Sequence, residues 1–548
     1  MSATAKRPLT WILALALALG ALGLRWGLPG LDSWSNDAPA PRPPLEFGRI
    51  WLETGHKYPN LQLGLDRLLY SPYLWWLRAR GDLLPNCSPL RDCFRDEQAA
   101  MSTLITLSRL RSLAAFLGLV LGVHALAAAL GLSRRAALWA ALWAALSAEL
   151  AFFGKLDNLD LPYSFWLVWA LVAWLKALES GRRRDDVAFG VLAALAVTTK
   201  DQAFAAFLLP GLALPRARWR EARSGEPGVG SGARAAASRS AAGKAVMARF
   251  AVLVAAAGIP FALINNLLFN WAGFVAHVAY FIGDGGQNEL LHGSWRPAVK
   301  LDLARQYLTK TGRSMAWPSF MLALAGIGAW YLGRPTGGAE GQGAGWPAPR
   351  RRVLWLWSLP FLSYYLFLIL PLKVIDTRFT IPMVALLCIP AGDLAARRWG
   401  RGAAAGTRPA IVTPSAARER GRSTAALVSS RALLLGVAVY ALLYSLNMSL
   451  AMRADSRYGA EDFLRRHLRP ESQVVGMDES RHLPRIETLG IGKATIIDWE
   501  ETVGEAGREA REQVLPAEVL IISGKTADRL KGEEAELRDR LLAGAAGH

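Results

Sequence analysis

Residues 151–162 read AFFGKLDNLDLP. Lys155, Asp157 and Asp160 stand at the turn between two apolar runs, 136–153 and 161–178. Each run approaches the ~20 residues that a helix rising ~1.5 Å per residue needs to cross a ~30 Å hydrocarbon core. Ionisable groups at membrane depth are costly and mark functional sites or water-filled mouths. Which side of the membrane this turn faces, and which groups join it there, decides how the rest of the chain is read.

The chain has 548 residues, of which 52% are hydrophobic. Its apolar residues fall into too many separate long stretches for one soluble core, so the composition is that of a polytopic membrane protein. A formal charge of +19 would suggest nucleic acid in a soluble protein. Here the basic residues crowd into short loops between apolar runs, which is a topology signal, and no nucleic-acid partner is expected. The N-terminus pairs Lys6 and Arg7 with an apolar run. No clean small-x-small cleavage site follows, so this run is read as an uncleaved first span.

Apolar segments occur at 9–28, 103–131, 136–153, 161–178, 187–199, 202–214, 250–282, 315–333, 353–371, 379–396 and 431–450, about eleven crossings. One set of loops is arginine-rich: 134–135, 182–184, 215–249, 334–352 and 397–431. The other set holds 29–102, 154–160, 200–201, 283–314, 372–378 and the tail. The two alternate if the N-terminus is cytoplasmic, and the positive-inside rule then puts the arginine set in the cytoplasm. The segment 187–214 fits as two short crossings, or a re-entrant pair, meeting at Thr199–Gln202. Lys200 then sits below the outer surface and needs an anionic partner or a water-filled cavity. Loops 215–249, 334–352 and 400–430 read as flexible linkers.

The first outer loop, 29–102, is long. Its stretch LQLGLDRLLYSPYLWWLRARG (61–81) mixes aromatics with Arg67, Arg78 and Arg80 at helical spacing, suiting a helix in the membrane interface or one packed on top of the bundle. Cys87 and Cys93 share this loop as CSPLRDC, either as a disulfide or as two free thiols; Cys388 sits in an apolar span. The spacing is no zinc motif, and no metal site is assigned. From about 452 the character changes to short strand-like and helix-like pieces. The expected division is a transmembrane domain, 1–451, followed by a small extracytoplasmic α/β domain, 452–548.

On the outer side the sequence thus collects Asp32, Asp37, Lys57, Asp157, Asp160, Lys200, Asp376 and Arg378. Several motifs among these loops resemble the GT-C class of lipid-phosphate-sugar-dependent glycosyltransferases, closest to bacterial relatives of protein O-mannosyltransferases and aminoarabinose transferases (glycosyltransferase family 39-like). WSNDAP (34–39) resembles the acidic motif after the first span, and HKYPNLQLGL (56–65) the Lys/Tyr-Pro-Pro-Leu stretch. LDNLDLPYSFW (156–166) resembles the Asp-x-Pro motif, and TTKDQAFAAFLLP (198–210) the lysine-containing turn. DTRFTIPMVALLCIPAG (376–392) resembles the entry to a late span, and RADSRYGAEDFLRRHL (453–468) the join to an outer C-terminal domain. There are departures: Ala38 follows Asp37 where the family often has Glu, and Asn60 replaces a proline.

The resemblance implies an all-α polytopic GT-C-like fold in the cell (inner) membrane. It also implies transfer of a sugar from a polyprenyl-phosphate carrier to an extracytoplasmic lipid, glycan or protein acceptor. A carboxylate must take the acceptor's proton. By its motif Asp37 is the expected base, with Asp160, then Asp157, orienting or supporting. Preorganised cations must meet the charge developing on the leaving phosphate. Lys57, Tyr58, Lys200 and Arg378 are the expected phosphate-binding residues. A single carboxylate with direct displacement implies inversion, whereas retention needs a second one as nucleophile. No cofactor is required, and a divalent metal is compatible but not demanded. The rival readings are a transporter or lipid flippase, and a GT-C scaffold without activity. No internal repeat supports the first.

Overall fold

The computed structural model describes residues 3–35, 39–53, 58–84, 93–224, 232–282, 294–332, 349–404, 414–477, 482–490, 493–497 and 519–522. Among these the chain is overwhelmingly helical. The helices are α1 (Ala3–Ala21), α2 (Arg42–Leu45), α3 (Phe47–Glu53), α4 (Asn60–Arg80), α5 (Glu97–Ala129), α6 (Arg134–Leu146), α7 (Ala148–Phe153), α8 (Asp160–Ser180), α9 (Arg183–Thr199), α10 (Leu208–Ser224), α11 (Gly232–Ile264), α12 (Trp271–Ile282), α13 (Pro297–Ser314), α14 (Trp317–Leu332), α15 (Pro349–Tyr364), α16 (Ile381–Ala404), α17 (Pro414–Arg453) and α18 (Ser456–His467).

Local signals set these boundaries. Asp96 caps α5 by accepting from Ala99 N, and Ser133 caps α6 by accepting from Ala136 N. Gly181 closes α8 at φ 66°, a left-handed conformation that glycine adopts without a Cβ penalty. By length and composition six described helices can cross a membrane, or seven if the bent pair α13–α14 counts as one span. The difference from eleven apolar runs has local causes. The 136–153 run breaks at Ser147 into α6 and α7. α9 and α10 have 17 residues each and flank a 3-10 turn, Asp201–Ala206. The 250–282 run divides into α11 and α12. α13 and α14 meet at a 114° bend.

The bundle is held by small residues. Ala136, Ala137, Ala140, Ala141, Ala144 and Ala145 of α6 are buried, and α6 packs against α16. A Cβ built at Gly392 of α16 would collide with the backbone of Ala140, so only glycine lets these helices approach so closely. Large apolar side chains point outward instead: Phe269 is 80% exposed and Leu332 78%, as expected of a surface that meets lipid rather than water. α4 buries Leu63, Asp66, Tyr70, Leu74 and Leu77 along one stripe and leaves Leu68, Trp75 and Trp76 exposed. That two-faced pattern combines both sequence readings: packed on the bundle, with an apolar side left for the interface.

After α17 the chain forms α18 and three strands, β1 (Gln473–Met477), β2 (Lys493–Ile497) and β3 (Val519–Ile522), in a parallel sheet of order β2-β1-β3. This part is tied to the first loop. Tyr458 Oη accepts from Gly27 N at 2.7 Å, Asp455 accepts from Trp26 Nε1 at 3.0 Å, and Arg485 donates to Pro29 O at 2.7 Å. Most of 498–548 lies outside the described residues.

Candidate active site

The turn 154–159 is the hub. Lys155 is 1% exposed and donates to Leu19 O (2.9 Å), Leu22 O (2.8 Å) and Ser449 Oγ (2.6 Å). All three N–H bonds of the ammonium are therefore used, on the carbonyl end of α1 and on α17. Burial pushes its pKa down to about 8. Lys155, without a task in the sequence reading, is thus a structural tie between the first and last helices of the bundle.

Asp157 turns the other way. Its Oδ1 accepts from Ser33 Oγ at 2.7 Å and lies 3.6 Å from Arg109 Nε, both charged side chains being fully buried. Arg109, on α5, also donates to Leu24 O, Trp26 O and Ser33 Oγ. Asp157 and Arg109 thereby fasten the start of the first loop, four residues before Asp37 in the chain. Asp157 Oδ2 is buried with no hydrogen-bond partner among the described residues.

Asp160 opens α8 and pairs with Lys200 at 2.5 Å, the anionic partner that the partly buried lysine requires. Asn158 orients the other oxygen, donating from Nδ2 to Asp160 Oδ2 at 3.2 Å. Lys200 Nζ also lies 5.8 Å from the Tyr163 ring centroid, and Tyr163 Oη meets Tyr364 Oη at 3.2 Å. The extended backbone at Lys200, between α9 and the 3-10 turn, aims the side chain at α8. Beside it, Asp201 accepts from His277 Nε2 of α12 at 3.1 Å.

The loop before α16 adds a third group. Asp376 caps the 3-10 turn Thr377–Thr380 and sits 3.6 Å from Arg378 Nε. Asp376 is close enough to act electrostatically on Asp160, and both act on Glu149 of α7. Lys300 and Lys310 of α13 hold this loop by donating to Leu370 O and Ile375 O.

Of the expected residues, the structure joins Asp160 to Lys200 and brings Asp376 with Arg378 within electrostatic range. It sets Asp157 on a separate partner, Arg109. Asp32 pairs with Arg42 at 3.2 Å. Tyr58 stands two residues before α4. Asp37, Lys57 and Cys87 lie outside the described residues. Cys93 is disulfide-bonded, and Cys388 is free and buried. No group of three or more metal-ligating side chains occurs among the described residues. Sequence reading missed Arg109, Glu149, Asn158 and His277. Arg109, Glu149 and His277 sit inside apolar runs, where the only available signal was an ionisable side chain in a segment that otherwise reads as membrane.

In comparisons of sequence, no family model and no curated protein matches the chain. In structure it is similar to ArnT from Cupriavidus metallidurans bound to undecaprenyl phosphate, at 15% identity and TM-score 0.50, with 95% of this chain and 90% of that chain covered. The apo state of that protein gives 16% identity and TM-score 0.48 over the same shares. The Archaeoglobus fulgidus oligosaccharyltransferase, in its apo form, gives 12% identity and TM-score 0.44, covering 90% of this chain and 65% of that chain. The first likeness is one of fold. It bears out the GT-C-like fold that the motif resemblance implies.

Proposed function

We propose that the chain is a membrane glycosyltransferase that moves a sugar from a polyprenyl-phosphate carrier to an acceptor outside the cytoplasm. The observation that carries this reading is the part-buried Asp160–Lys200 pair beside Asp376 and Arg378, in a fold shared with a protein whose crystal structure holds undecaprenyl phosphate. Carboxylates and cations gathered at one end of a bundle suit a phosphate leaving group and a nucleophile needing a base.

In this mechanism the acceptor oxygen or nitrogen attacks the anomeric carbon and gives its proton to Asp37. The bond from that carbon to the phosphate oxygen breaks, and the carrier leaves as polyprenyl phosphate. Lys57, Tyr58, Lys200 and Arg378 hold that phosphate. Asp160 uses one of the three N–H donors of Lys200 and leaves the others for the ligand. Asp157 acts through Arg109 and Ser33, which fix the path of the chain towards Asp37. Attack opposite the leaving group inverts the anomeric centre.

The topology belongs to the same proposal: eleven crossings when broken helices are counted, an inner-membrane location, a cytoplasmic N-terminus, and residues 452–548 as a small extracytoplasmic α/β domain. The disulfide at Cys93 supports an oxidising side for the first loop.

The test is transfer in vitro from a labelled polyprenyl-phosphate sugar to acceptor lipid, glycan and peptide pools. Wild type should release polyprenyl phosphate and Asp37→Asn should not, with both proteins equally folded. Full activity in Asp37→Asn would refute the base assignment. No transfer to any pool by wild type would refute the enzymatic reading.

A further inference from the structure

A second site opens at the other end of the same helices. Between α1, α6, α16 and α17 lies a groove of about 410 Å³ lined by Ile12, Arg135, Trp139, Leu142, Trp399 and Arg431. Its walls are apolar and its rim carries two guanidinium groups. Trp139 and Trp399 are tilted at 56° with ring centroids 5.6 Å apart, and Arg431 stands 5.5 Å from the Trp399 ring and donates to Trp399 O at 3.3 Å. Among the described residues neither Arg135 nor Arg431 has a carboxylate partner.

The helix directions fix its depth. α6 carries the groove residue Arg135 in its first turn and leads through α7 to the turn that bears Asp157. α16 runs from the Arg378 turn to Trp399, and α17 from Arg431 to Ser449, the partner of Lys155. Each of the last two paths has 18 residue steps from Ile381 to Trp399 or from Arg431 to Ser449. At ~1.5 Å per residue that is about 27 Å, close to the thickness of a hydrocarbon core. The groove therefore sits at the opposite membrane interface from the Asp160–Lys200 pair, where tryptophans and arginines are favoured.

We infer that this groove binds one anionic phospholipid of the cytoplasmic leaflet, with the headgroup phosphate between Arg135 and Arg431 and an acyl chain along Ile12, Trp139 and Leu142. Charge complementarity selects the occupant. Two unpaired guanidinium groups above an apolar cleft match a phosphodiester joined to a hydrocarbon tail. Topogenic charge alone would place arginines at this interface, but it does not require a tryptophan-walled cleft between them.

Native mass spectrometry of the full chain, released from mixed phosphatidylglycerol and phosphatidylcholine vesicles, tests this. Wild type should retain one phosphatidylglycerol in preference to phosphatidylcholine. The double variant Arg135→Ala/Arg431→Ala should bind it about thirtyfold less, roughly fivefold for each arginine. Arg135→Lys/Arg431→Lys should recover much of the binding. Lys373→Ala, altered on the exposed outer side, should retain the lipid as wild type does. Equal retention in the double alanine variant, or loss in Lys373→Ala, would overturn the proposal. On wild type alone, phosphatidylglycerol should raise the unfolding temperature in detergent while phosphatidylcholine and inorganic phosphate do not; equal shifts from all three would also overturn it.

Discussion

Arg109 Nε and Asp157 Oδ1 lie 3.6 Å apart with neither side chain reaching solvent, and Ser33 hydrogen-bonds to both residues. An ion pair so fully desolvated gives little net stability as a pair, yet breaking it leaves a bare buried charge. Arg109→Met should therefore lower the stability of the detergent-solubilised protein by about 3–5 kcal/mol. Adding Asp157→Asn should recover much of that loss. Thermal unfolding of the two variants measures it, and a single variant as stable as wild type would mean that the pair does not hold the loop.

Lys200 and Asp160 should behave as one unit in catalysis. Removing a preorganised phosphate-facing cation lowers kcat by about 10²–10³. Lys200→Ala should fall in that range, Asp160→Asn should fall less, and the double variant should be little worse than Lys200→Ala alone. A product of the two separate effects in the double variant would show that the residues act independently.

Lys155 makes a prediction in pH. Its folded pKa is depressed to about 8 from an ordinary 10.5, so between those values the unfolded chain binds more protons than the folded one. Stability attributable to Lys155 then rises with pH across that window, by up to about 3 kcal/mol, and is flat below pH 8. The comparison is wild type against Lys155→Met, unfolded in detergent at pH 7 and pH 10. A wild-type advantage that shrinks with rising pH would contradict the assignment.

Orientation is testable with cysteines placed on exposed residues. In a protein lacking its native thiols, Lys373→Cys should react with a membrane-impermeant maleimide applied from outside to intact cells. Arg183→Cys should react only after permeabilisation. Both positions are exposed, so protection at either reports the membrane and not burial. The reverse pattern would invert the proposed topology and move the phospholipid groove to the other leaflet.

The turn 154–160 was legible in the sequence because charges between apolar runs are rare enough to signal by themselves. The partner of Lys200 was foreseen as a class, an anion, but not as Asp160, because 40 residues separate them and no local rule links the two. Arg109 was invisible for a related reason. One of two arginines in the first half of a 33-residue, largely apolar helix reads as a flank or an exception until its carboxylate is seen. The break at Ser147 leaves little mark in hydropathy, since the residues on both sides stay apolar apart from Glu149. It becomes intelligible only from Ser314 O, which accepts from Ser147 Oγ at 3.0 Å next to the α13–α14 bend.

The tie made by Lys155 also has a consequence for the order of assembly. Its acceptors Leu19 and Leu22 precede it in the chain, but Ser449 follows 294 residues later. At translation rates of ~5–20 residues per second, those residues take roughly 15–60 s to make. Throughout that interval the ammonium has only two of its three acceptors. The turn carrying Asp157 and Asp160 can settle only when α17 arrives, so the bundle is completed by its last helix, and a ribosome that stops short leaves a nascent protein with an unmet cation at its centre.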